Sequence, residues 1–125
     1  GEALEQVGLG DVATRRFGQL SGGQMRRVGI ACALVGDPHS VLLDEPTVGL
    51  DPAQRESFHQ LMRSLSESTS LLISTHLLED VSALAQHVVV LHEGRVRFEG
   101  SPSDLAGDDG PALDALRAGY LRAVA

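Results

Sequence analysis

The tightest constraint on what this chain can fold into is a short apolar run, Val41-Leu42-Leu43, closed by two acids and a proline, Asp44-Glu45-Pro46. Ser40 to Leu43 is too short for a core helix, and Gly36, Asp37 and Pro38 break the chain just before it. It therefore reads as a buried strand that delivers two carboxylates at its C-terminal end. In open α/β sheets ligands sit beyond the carboxyl ends of the strands, and adjacent acids there can divide labour. One can hold a metal ion while the other orients or deprotonates water. Asp44 is the candidate for the first task and Glu45 for the second. Taken alone, the pair reads equally well as two acids opening a loop.

The surrounding pattern favours the chemical reading. Ser21-Gly22-Gly23-Gln24 precedes apolar residues at Met25, Val28 and Cys32, which is helical spacing with a clear start. After Thr47 to Leu50, Asp51 is an N-cap, Pro52 takes the first helical position and Gln54 completes a capping box. Phe58, Leu61, Met62 and Leu65 then share one face. Leu71 to Ser74 is a second strand, followed by Thr75, His76 and a helical pattern through Leu77, Val81 and Leu84. Val88 to Leu91 and Arg95 to Phe98 flank His92-Glu93-Gly94 and predict a β-hairpin. Gly100 to Gly110 reads as a polar connector. Pro111 then opens a helix with Leu113, Leu116, Tyr120, Leu121 and Val124 on one side. Gly1 to Gly18 gives no assignment. Alternating strands and helices imply an α/β sheet.

Composition narrows the function classes. A chain of 125 residues with 42% hydrophobic content supports one core, so it is a single domain or part of one. The net charge is −7, and the ten basic residues are all arginines, placed singly or in pairs. That disfavours the cationic stripe needed to bind nucleic acid or an anionic membrane. Cys32 is the one cysteine, which excludes an internal disulfide and fits a reducing compartment. No apolar stretch approaches the ~20 residues of a membrane span, so a soluble chain is expected. The start at Gly1 suggests a piece of something longer.

Two further features carry chemistry. Gly22 and Gly23 sit at a helix N-terminus, where unpaired backbone N–H groups and the helix dipole favour an anion such as phosphate. Ser21 could add a hydroxyl, and its capping box with Gln24 is compatible with that role. His76 follows a strand and a Ser-Thr pair, where it could sit beside the same phosphate. His39, His59, His87 and His92 show no ligand spacing and are expected at the surface. Arg26 and Arg27 read first as helix-surface charges.

LSGGQ at Leu20 to Gln24, VLLDEP at Val41 to Pro46, GLDP at Gly49 to Pro52 and STH at Ser74 to His76 stand in one order and spacing. In these motifs the chain resembles the ATP-binding-cassette family, from about Arg16 to Leu105, with the hairpin HEGRVRFEG and the following SPSDL included. The resemblance implies an α/β fold, a partial P-loop NTPase (ABC cassette) sheet with flanking helices and a C-terminal β-hairpin. It implies a cassette portion at 1–105, and a connector and helix at 106–125. Ser21, Gly22, Gly23 and Gln24 match the signature loop, which in the family contacts the γ-phosphate of ATP held by the opposite subunit. Asp44 matches the metal-linked Walker B aspartate, Glu45 the catalytic glutamate and His76 the switch histidine. Asp51 matches the loop aspartate that communicates across the dimer. The resemblance further implies ATP and Mg²⁺ as cofactors. A second ABC ATPase subunit and a transmembrane permease are the implied partners, with no nucleic acid. The implied location is cytoplasmic, on the inner face of the membrane.

The chain departs from the family in one respect that matters. Phosphoryl transfer needs a Gly-rich loop with a lysine on the β/γ-phosphates, and this sequence has neither that loop nor any lysine. The chain by itself is therefore expected not to hydrolyse ATP. It is also expected to leave apolar strand edges uncovered, and so to be marginally stable or to associate. Three readings remain open: a transport ATPase, with EPTVGLDP, STHLLEDV and HEGRV similar to bacterial exporter cassettes; a non-transport cassette ATPase acting on ribosomes or DNA; and a non-catalytic interaction module.

Overall fold

The computed structural model describes residues 1–107 and 112–125. The chain divides into two compact units, Gly1–Ser74 and Thr75–Ala125.

The first unit begins with a short helix α1 (Glu2–Gln6) and two 3₁₀ turns, at Gly10–Val12 and Phe17–Gln19, in the stretch left unassigned above. Helix α2 (Gly22–Leu34) starts where expected. The Ser21 hydroxyl accepts from the Gln24 N–H at 3.1 Å, and the Gln24 side chain accepts from the Ser21 N–H at 2.9 Å. Its inward face is not the expected one. Ile30, Ala31 and Leu34 are buried, whereas Met25 and Cys32 are exposed. Both sets obey helical spacing, and contact with α1 selects between them.

Strand β1 (Ser40–Asp44) runs parallel to β2 (Ser70–Ser74), joined by helix α3 (Pro52–Leu65). The register pairs Val41 with Leu71, Leu42 with Leu72 and Asp44 with Ser74. The expectation of a fully buried strand is corrected here. Val41 is buried, but Leu42 is 73% exposed and its partner Leu72 is 65% exposed. With two strands in the sheet, one apolar row packs inward and the alternate row faces out. Helix α3 carries the expected cap: Asp51 Oδ1 accepts from the Gln54 N–H at 2.8 Å and Gln54 returns the bond at 3.1 Å. Phe58, Met62 and Leu65 are buried as the pattern requires. So is His59, at 5% exposure, with its ring edge toward Phe58 at 6.4 Å; the surface placement expected for it is wrong. Its neighbours on the helix fix that: His59 lies one residue from Phe58 and three from Met62, inside the buried sector.

The second unit holds α4 (Leu78–Leu84), the antiparallel pair β3 (Val88–His92) and β4 (Arg95–Gly100), α5 (Pro102–Ala106) and α6 (Leu113–Val124). The hairpin turn is built from Glu93 and Gly94, both with left-handed φ (49° and 72°), which is the geometry that matches strand twist. Val88 and Val90 point inward to Leu105, Ala106, Ala115 and Leu116. The expected connector contains a helix. Ser101 caps α5, with Asp104 closing the box in place of the more familiar Glu, and two hydrogen bonds from Ser101 hold the Asp104 carboxyl below its ordinary pKa. Pro111, expected to open the last helix, lies outside the described residues. Helix α6 buries Ala115, Leu116 and Gly119, while Tyr120 and Leu121 of the expected face are exposed. Small residues decide this: α5 lies so close that only Gly119 fits beneath the Leu105 carbonyl.

Candidate functional site

The end of β1 is organised by strand β2 beside it. Ser74 Oγ donates to Asp44 Oδ1. The Glu45 N–H donates to the Ser74 carbonyl at 2.9 Å, with Ser74 Oγ also near it at 3.2 Å. Parallel pairing of Asp44 with Ser74 places all three groups at one strand end. Glu45 has φ 46°, a left-handed conformation that costs a non-glycine residue on the order of 1–3 kcal/mol and persists only where its surroundings impose it. The surroundings do so. Pro46 and Thr47 behind it are buried, and the Arg26 guanidinium donates to the Pro46 carbonyl. Neither Ser74 nor Arg26 was assigned a site role from sequence. Arg26 and Arg27 are not the surface charges expected: both are part-buried, and Arg27 donates to the Val7 carbonyl at 3.0 Å and to Ser57 Oγ.

The signature residues occupy the N-terminus of α2. Neither Gly22 nor Gly23 has a left-handed φ, a Cβ on Gly22 would meet nothing within 4 Å, and one on Gly23 would meet only Gln54 Nε2 at 3.9 Å. Glycine in a helix costs about 1 kcal/mol relative to alanine. Neither backbone conformation nor internal packing requires glycine at these two positions. Asp51 caps the neighbouring helix α3. The two N-termini flank a cleft of about 280 Å³ lined by Gly23, Arg26, Leu50, Ala53 and Gln54. Thus Asp44 and Glu45 share one strand end, Arg26 ties α2 to the loop behind them, and Asp51 caps the helix whose residues Ala53 and Gln54 line the cleft. His76 belongs to the second unit, where it is exposed in the turn before α4.

Among the described residues no group of three or more His, Cys, Asp or Glu side chains could form a metal cage. Mg²⁺ on a nucleotide needs none, because one carboxylate, waters and phosphate oxygens complete its octahedron. The exposed Asp44 carboxylate at the strand end fits that requirement. No helix of the described residues is long and apolar enough to cross a membrane.

A strand-end Asp-Glu pair on a parallel α/β pair, with Arg26 of the helix that opens on Gly-Gly donating to the Pro46 carbonyl just behind it, is the arrangement of part of a nucleotide-binding cassette. Comparison with known proteins agrees. Residues 1–48 match the family described as ABC transporter. The energy-coupling factor transporter ATP-binding protein EcfA2 of Bacillus licheniformis is 43% identical over 83% of this chain and 37% of its own length. The methionine import ATP-binding protein MetN of Streptomyces griseus is 42% identical over 90% of this chain and 32% of its own. A solved ATP-binding cassette of an ABC transporter superposes with a TM-score of 0.78 at 27% identity, over 98% of this chain and 47% of that one. The chain belongs to the ABC transporter ATP-binding family and spans less than half the length of these relatives.

Proposed function

We propose that this chain supplies the signature, Walker B, loop-aspartate and switch-histidine portion of an ATP-hydrolysing subunit that energises a membrane permease, its P-loop being furnished by the remainder of the cassette. Residues 1–105 form the cassette portion, with 106–125 an appended connector and helix. The observation that carries the reading is the Glu45 turn. Its left-handed backbone, tied to Ser74 and followed by a Pro46 carbonyl that Arg26 holds, sets Glu45 directly after Asp44 at the strand end.

Each residue then has a task. Asp44 holds Mg²⁺, with Ser74 orienting its carboxylate. Charge neutralisation across the β- and γ-phosphates is what the bound ion supplies. Glu45 orients the attacking water and accepts its proton. His76 donates a hydrogen bond to the γ-phosphate. Ser21, Gly22, Gly23 and Gln24 close on the γ-phosphate of ATP held by a second ABC ATPase subunit, so turnover occurs at a dimer interface. Asp51 relays across that interface. The subunit lies in the cytoplasm against the inner face of the membrane, held there by its permease. Similarity of EPTVGLDP, STHLLEDV and HEGRV to exporter cassettes supports outward transport, which a direction-resolved flux assay in vesicles decides.

The test is to mix the purified chain with the P-loop half of its cassette and measure Mg²⁺-dependent ATP hydrolysis. Turnover is expected only when both halves are present. A folded, associated mixture with no turnover would leave the motifs as an interaction surface and defeat the catalytic reading.

Asp51 separates two roles. Asp51→Ala removes the cap bond to Gln54 and should cost about 1 kcal/mol of stability, whereas Asp51→Asn keeps a capping oxygen and should cost little. Both should lower turnover in the completed cassette if the charge relays across the dimer. Thermal midpoints and rates measured on the same samples decide it, and an unimpaired Asp51→Asn would reduce the residue to a cap.

A further inference from the structure

Asp80 is a buried titratable side chain of the second unit, at 2% exposure, and the proposed chemistry makes no use of it. Burying a carboxylate is costly unless its hydrogen bonds are supplied. Its place in the first turn of α4 suits the helix dipole, yet Leu77 begins the helix with no side-chain cap, and the Asp80 carboxylate is engaged elsewhere. Thr75 Oγ1 donates to Asp80 Oδ2 at 2.9 Å, and Thr75 Oγ1 in turn accepts from the Leu77 N–H at 3.0 Å. The Asp80 N–H returns to the Leu77 carbonyl at 3.1 Å.

These three bonds lock residues 75, 77 and 80 into one turn. His76 is the residue the turn encloses in sequence, and it is left exposed. We infer that Asp80 is a positioning residue: acting through Thr75, it fixes the backbone from which His76 reaches a phosphate. The inference rests on the assignment of His76 as the γ-phosphate-sensing histidine. A carboxylate suits the task better than a neutral acceptor, because hydrogen bonds to a charged oxygen are shorter and stronger. A hydroxyl that both donates to Asp80 and accepts from Leu77 transmits that constraint directly to the two peptide units around His76.

The experiment uses the completed cassette with Mg·ATP and four changes: Asp80→Leu, Asp80→Asn, Thr75→Val and the double variant Asp80→Leu/Thr75→Val. Misplacing a catalytic group by about 1 Å costs up to roughly 100-fold, so Asp80→Leu and Thr75→Val should each lower kcat by roughly 10- to 100-fold with KM for ATP nearly unchanged. Asp80→Asn keeps an acceptor for Thr75 and should restore most of the rate. The double variant should be no worse than either single one, because both cut the same link. Exchange of the Leu77 amide should speed up in both single variants while amides of α6 stay protected, a readout that does not depend on turnover.

Wild-type kcat in a folded Asp80→Leu protein, or additive losses in the double variant, would overturn the positioning role. A His76→Ala control separates the two levels. Turnover lost there but intact in Asp80→Leu defeats the Asp80 inference alone. Turnover intact in His76→Ala defeats the reading of His76, and the positioning role with it. Should Asp80→Leu fail to fold, the nearly isosteric Thr75→Val variant carries the same test.

Discussion

Glu45→Gln in the completed cassette should lower ATP turnover by about 100- to 10,000-fold, the usual contribution of a positioned general base, while leaving ATP binding and stability nearly intact. Glutamine has the shape of glutamate and the same N–H, so the bond to the Ser74 carbonyl at 2.9 Å survives. The left-handed backbone at φ 46° is unaffected by the change. What disappears is the proton acceptor. Single-turnover hydrolysis measured beside nucleotide affinity separates these effects. A variant that binds Mg·ATP and hydrolyses it at the wild-type rate would show that water activation lies elsewhere and would remove Glu45 from the chemistry. The strain in the turn adds a reason to expect a large effect. A backbone held out of its ordinary range, with Ser74 on the Glu45 N–H and Arg26 on the Pro46 carbonyl, is a cost that a turn without a task would not carry.

Gly119→Ala should be the most destabilising single substitution considered for the second unit. A Cβ there would lie 1.8 Å from the Leu105 carbonyl oxygen and 2.7 Å from its carbon, so backbone rather than a flexible side chain must move. Overpacking of well-packed sites costs about 1–3 kcal/mol and occasionally more. With Leu105 at 4% and Leu116 at 0% exposure beside the clash, the upper end is expected, because separating α6 from α5 opens the centre of that core. Urea unfolding monitored by amide exchange should show protection lost in α5 and α6 while α2 and α3 are spared. Gly22→Ala, which opens on empty space, is the control that should not destabilise. A Gly119→Ala protein as stable as wild type would mean that the two helices are not held at the distance described.

Much of this was written locally in the sequence. The helix starts at Ser21 and Asp51 were legible because a capping box is an i, i+3 exchange of hydrogen bonds that needs no partner from elsewhere in the chain. The strand ends at Asp44 and Ser74 and the hairpin turn at Glu93-Gly94 were legible for the same reason. The helix opened by Ser101 was missed because its five residues lie in a stretch rich in Gly, Asp and Ser that reads as a connector.

Faces were not legible in the same way. Periodicity supplies a helical repeat but not its phase in a helix that is apolar on several sides. Thus Met25 and Cys32 of α2 face out while Ile30, Ala31 and Leu34 are buried, and α6 turns Ala115 and Gly119 inward rather than Tyr120. His59 is buried because its neighbours are.

The sequence by itself determined which family the chain resembles, where the helices capped by Ser21 and Asp51 begin, where the strands lie, and which acids, glycines and histidine are candidates for phosphate chemistry. Those properties are carried by residue type and short spacing. Only the tertiary structure decided that Ser74 holds Asp44 from 30 residues away, that Arg26 braces Pro46 from 20 away, and that Glu45 is held in a left-handed backbone. Each of these depends on which segment packs against which. A hydrogen bond between distant residues, or a strained backbone that distant contacts hold in place, leaves no periodic trace in the chain.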